Sequence, residues 1–87
     1  MKHFEELWVL AEKTATAYDS KPLSERKVEI EKALSQLDSN TSSDVKHEIL
    51  GRILFQLCGI SAELNVNTFR ALAQEEKQIR LSVDDLT

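Results

Sequence analysis

The sequence predicts an all-α fold, a four-helix bundle-like single domain over residues 1–87 that dimerisation completes. Three observations predict it. Two glycines and one proline leave little punctuation for hairpins. Apolar residues recur at three- and four-residue spacing nearly throughout. Short polar breaks then divide the chain into four helical stretches with brief connections, the pattern of a helical bundle.

In the first stretch Phe4, Leu7, Trp8, Ala11, Ala15 and Tyr18 form a stripe on one face. DSKPLS, residues 19–24, is the first break, with Ser20 or Ser24 able to cap the next helix and Pro22 near its start. The second helix carries Leu23, Ile30, Ala33, Leu34 and Leu37 on one side. DSNTSS, residues 38–43, is a turn, and Thr41 to Asp44 has the spacing of a capping box with Asp in place of Glu. The third helix, 44–64, is apolar nearly all round, through Ile49, Leu50, Ile53, Leu54, Phe55, Leu57, Cys58, Ile60 and Leu64. Such a helix is buried on several sides, by its own chain or by a partner subunit. Asn65 can adopt the left-handed conformation that ends it, and Asn67 can cap the fourth helix. That helix aligns Phe69, Leu72, Glu76 and Ile79, and the tail LSVDDLT reads as a frayed end or an extra turn.

Composition excludes several classes. The chain has 15 Asp and Glu against 11 Lys and Arg, a formal net charge of −4, which is not the basic balance of a nucleic-acid binder. MKHFEELW turns acidic at once, unlike a secretory leader. ILFQLCGI is too short to span a bilayer. No nucleic-acid or membrane partner is expected, and the expected location is cytoplasmic. Cys58 is the only cysteine, lies in the most apolar segment and reads as a buried, reduced thiol with a raised pKa. A chain of this size buries only about 60–65% of its unfolded surface, so a second copy is a natural supplement.

The motif that carries chemistry is Glu48-Ile49-Leu50-Gly51-Arg52-Ile53-Leu54-Phe55, followed by Leu64-Asn65-Val66, Ala71-Leu72 and Ile79. On these residues the stretch from about 25 to 80 resembles the MazG-like, all-α nucleoside triphosphate pyrophosphatases. That family shows a Glu-Glu-Leu-Gly-Asp-Leu-Leu run on one helix and Glu-Glu-x-x-Glu on the helix before it. The second element falls on Val28-Glu29-Ile30-Glu31-Lys32. The resemblance implies hydrolysis between the α and β phosphates, with Mg2+ held by carboxylates from two facing helices.

The departures are specific. The acid positions of the second helix fall on Val28, Glu29 and Lys32. Those of the third helix keep Glu48 but hold Ile49 and Arg52 where metal ligands belong. The nucleotide-contacting Asn and Lys of the last helix become Glu76 and Gln78. Sliding the second helix by three residues recovers Glu25 and Glu29, puts Arg26 between them and leaves Glu31 on another face. The catalytic candidates are therefore Glu29 and Glu48, and the metal candidates are Glu25, Glu29, Glu31 and Glu48. Arg52 and Lys32 are cations standing where metal stood, able to pair with Glu29, Glu48 or Glu31. The competing reading leaves these charges as solvated faces with weak ion pairs.

Other sites are weaker. His47 has Gly51 rather than histidine four residues on, so the two-histidine zinc spacing is missing. Trp8 suits a core stripe or an interface. The reading favoured by the departures is a MazG-like protein without magnesium-dependent pyrophosphatase activity, acting as a dimeric binding or interaction module. The homodimer would form through the third helix around Ile49, Ile53, Leu57 and Ile60, with a nucleotide or another protein as the further partner. The alternatives are an active divergent pyrophosphohydrolase using Mg2+, and an unrelated small helical regulatory protein.

Overall fold

The computed structural model describes residues 2–38 and 41–86 and contains, among them, four helices and no strand. They are α1 (Lys2–Tyr18), α2 (Leu23–Gln36), α3 (Ser43–Leu64) and α4 (Thr68–Leu86). The all-α expectation holds. The boundary signals differ in detail. Pro22 occupies the N-cap of α2 with no side-chain cap bond, so neither Ser20 nor Ser24 caps it. Its fixed φ of −67° and its carbonyl, which accepts from Glu25 and Arg26 N–H groups at 3.0 and 3.1 Å, start the helix instead. Likewise Ser42, not Thr41, stands at the N-cap of α3, and no capping-box bond forms. Residues 39 and 40 of the DSNTSS turn lie outside the described residues. The tail is the extra turn, one of its two expected forms: α4 continues to Leu86, while Thr87 lies outside the described residues.

Two asparagines act as expected. Asn65 sits at φ 55°, ψ 46°, and the paired bonds Val66 N–H to Ser61 O and Asn65 N–H to Ala62 O close the end of α3. Asn67 Oδ1 accepts from the Arg70 N–H at 3.0 Å and caps α4.

Helix α3 packs between α1 and α2. Against α2 the core is Ala33, Ile49 and Ile53, with half-buried Ile30 beside them. Leu34 and Leu37, expected on that face, are exposed. Toward α1 the buried residues are Trp8, Ala15 and Cys58. The aromatic ends meet here: Phe4, Trp8 and Phe69 form a triangle with centroids 5.9 to 6.1 Å apart. Trp8 is thus a core residue, whereas Tyr18 at the end of the same stripe is fully turned to solvent.

Helix α4 does not close the bundle. It leaves α3 across a 106° bend, and every residue from Arg70 to Asp84 is exposed. Its first turn is anchored by Phe69 and by the Thr68 hydroxyl, 2.6 Å from Ser61 Oγ. The radius of gyration is 15.2 Å, against about 12 Å for a compact domain of this length. The accessible surface is 6899 Å², about 1,700 Å² more than a compact monomer of 9.9 kDa shows. No single helix is long and apolar enough to cross a membrane among the described residues.

Candidate functional site

The cleft that should hold the chemistry lies between α2 and α3. Glu29, Lys32, Ala33, Gln36, Arg52 and Gln56 line a cavity of about 140 Å³. Three of the residues singled out from the sequence, Glu29, Lys32 and Arg52, therefore do share one cleft. Its wall carries one carboxylate against two cations.

The remaining acids are elsewhere. Glu25 and Glu31 are exposed on α2 and do not line this cavity. Glu48 is bound to Arg52 one turn away on α3, at 2.6 Å. Among the described residues no three His, Cys, Asp or Glu side chains stand close enough together to hold a metal ion. A magnesium site needs several hard oxygen ligands in near-octahedral array, and Glu29 alone reaches the cleft. The residues present do not fit the metal that the resemblance implies.

The ion pair of Arg52 is with Glu48 rather than with Glu29, and it is a surface pair. Both side chains are more than half exposed, at 58% and 60%. A pair of this kind, four residues apart on one helix, contributes only about 0.3–0.5 kcal/mol. Solvated charge is the better description of this arginine.

The cation that does organise the interior is Arg26. Its side chain is 2% exposed. From the first turns of α2 it reaches both other core helices. The Nη1 group donates to Gln56 Oε1 on α3 at 2.9 Å, and Nη2 donates to the Asp19 and Ala15 carbonyls at 2.7 and 3.3 Å. Asp19 Oδ2 stands 3.9 Å away. Helix α1 has no basic residue in its last turn, so Arg26 supplies the positive charge that its negative end lacks. Nε has no partner among the described residues. A buried guanidinium is tolerable only when most of its donors are satisfied, and here the acceptors come from α3, from α1 and from Asp19 just beyond α1.

Gly59 makes room for it. A Cβ at this position would lie 2.3 Å from Arg26 Cζ, so only glycine lets the guanidinium lie against α3. Sequence reasoning met Arg26 only as an unwelcome cation between Glu25 and Glu29. The signals that could have exposed its role were a bare α1 C-terminus and a glycine in the most apolar helix. Neither names its partner.

Cys58 follows expectation. It is buried, and its thiol is pushed up from 9.0 to about 11, mainly by desolvation and next by the nearby negative charge of Glu12. It is no nucleophile at neutral pH.

The outer side of α3 differs in part from the expected interface: Leu57 is exposed and Ile60 half-buried. Ile49 and Ile53, expected at a subunit interface, are buried inside the chain. Leu50, Leu54, Leu57 and Leu64 are instead 39% to 52% exposed, at spacings of four, three and seven. Beside them runs an apolar groove of about 250 Å³ walled by Phe4, Leu7, Ala11, Gly51, Leu54 and Phe55, with Trp8 and Cys58 at its floor. No protein family, curated protein or solved structure matches this chain.

Proposed function

We propose that this chain is a MazG-like helical protein without magnesium-dependent pyrophosphatase activity, working in the cytoplasm as a dimeric binding and interaction module. The observation that carries the reading is the apolar outer side of α3. Contiguous exposed leucines beside an apolar groove are what a docking surface requires, and isolated monomers rarely leave such a patch bare. The interface belongs on Leu50, Leu54 and Leu57, because Ile49 and Ile53 are committed to the core.

The cleft between α2 and α3 supports the other half of the proposal. Lys32 and Arg52 flank Glu29 there, and cations beside a lone carboxylate repel the metal that phosphate chemistry would need. Incubation with a panel of nucleoside triphosphates and Mg2+ or Mn2+ should release no pyrophosphate. Turnover that Glu29→Gln abolishes would overturn this reading in favour of a divergent hydrolase.

A further inference from the structure

The bundle lacks a helix where it has the most apolar surface, and the chain holds a helix with nothing to cover. On α4 the row starts at Phe69, which packs on Phe4 and Trp8, and continues at heptad-like spacing through Leu72, Ile79 and Val83, with Glu76 at the one remaining position. Leu72 and Ile79 are 64% and 57% exposed. In water a helix of this length draws most of its stability from packing an apolar face, and α4 packs only its first turn within the chain. The 106° bend carries its apolar row away from the leucines of its own α3.

We infer that the occupant of the α1–α3 groove is α4 of a second copy, the two chains exchanging α4 reciprocally. This rests on the dimer reading above and specifies how the dimer is made. A second copy covers both apolar rows at once, because a two-fold interface uses each row twice. The lengths allow it: α4 has 19 residues, and α3 lines the groove only from Gly51 to Cys58, so the helix is long enough for its groove and for the leucines beside it. The area is more than sufficient. The surface in excess of a compact monomer is about 1,700 Å², whereas a standard interface takes only about 800 Å² from each partner.

Gly51 points the same way independently. It stands mid-helix in α3, where glycine is worse than alanine by roughly 0.5–1 kcal/mol. A Cβ there would meet nothing within 4 Å in its own chain, so internal packing gives no reason for a glycine. Yet it lines the groove, where a visiting helix needs close approach. Glu76 enters the seam already paired to Arg80 at 3.0 Å, and a polar position in an apolar row fixes register.

The test uses the full chain in sedimentation velocity at micromolar concentration, with circular dichroism to follow folding. Wild type should sediment as a dimer. Leu72→Glu combined with Ile79→Glu, which spoils the visiting helix, should raise the dimer dissociation constant at least about a hundredfold. Gly51→Lys, whose Cβ meets nothing within 4 Å in its own protomer, spoils the groove and should do the same while the helical signal stays intact. Gln74→Glu, on the opposite side of α4, should leave the dimer unchanged. Mixing the two defective proteins is the decisive arm. A heterodimer then contains one intact groove facing one intact α4, so the mixture should associate at least about tenfold more tightly than either variant alone. A monomeric wild type would sink both this inference and the dimer reading. A dimer indifferent to Gly51→Lys, or two monomeric variants that fail to complement, would overturn the exchange and leave the dimer reading standing.

Discussion

Toward α2 and the end of α1, helix α3 presents Gln56 and Gly59, and both are buried. On its outer side it presents Leu50, Leu54 and Leu57, and all three are exposed. Over these turns a buried glutamine and three exposed leucines run against the usual order, which Ile49 and Ile53 inside and Glu48 and Arg52 outside still keep. The inner side is closed because Arg26 brings hydrogen-bond donors that Gln56 and two carbonyls can accept. The outer side is open because no helix of the same chain lies over it. Burial thus follows the availability of a partner as much as the polarity of the side chain.

If the inner side depends on Arg26, removing it should have the largest effect of any single change. Arg26→Ala deletes a buried side chain and takes from Gln56 Oε1 and the Asp19 carbonyl the donor that Arg26 supplies, at about 3–5 kcal/mol. In a domain of this size each kcal/mol lowers Tm by roughly 4–8 °C, so thermal melts should show the variant unfolded or nearly so at physiological temperature. A shift of a few degrees would mean that the three-helix junction contributes little. Gly59→Ala tests the same contact from α3. The added methyl displaces a guanidinium held by three hydrogen bonds, which predicts about 1–3 kcal/mol by denaturant melts.

The apolar packing between α1 and α3 can be read through Cys58. Its folded-state pKa is raised, so the folded state favours the neutral thiol. That contribution is fully present below pH 9 and is lost as pH rises from 9 to about 11. Denaturant midpoints should therefore fall over that window in wild type, and less so in Cys58→Ala. Equal pH dependence in both proteins would place the titration elsewhere. The smallest effect belongs to the exposed ion pair: Arg52→Ala should cost about 0.3–0.5 kcal/mol, and less in high salt. A loss above about 1 kcal/mol would show that Arg52 braces the cleft after all.

The helical periodicity was legible because each stretch repeats an apolar residue every three or four positions, and Asn65 and Asn67 announced the α3–α4 turn by their local chemistry. The sharing of a cleft by Glu29, Lys32 and Arg52 was legible too, since facing positions on adjacent helices follow from register. What stayed hidden was pairwise and long-range. Arg26 looks like any surface cation until Gln56, thirty residues away, is placed beside it. The stripe on α2 was misread for the same reason: Ile30 and Ala33 point at α3, but Leu34 and Leu37 sit past the edge of the contact. The α3 face was misassigned because a helix apolar all round carries no periodic signal to distinguish core from interface.

Asn65 gives the molecule a lever. A single left-handed residue sets the direction of α4, and α4 is about 28 Å long at 1.5 Å per residue. A rotation of about 10° at that joint would carry the far end through about 5 Å, by the same rise per residue. The backbone there is pinned by the Ser61 hydroxyl, which donates to the Val66 carbonyl at 2.9 Å and also meets Thr68. The reach of the whole arm is thus governed by one asparagine and one serine, neither of which touches the surface that the arm presents.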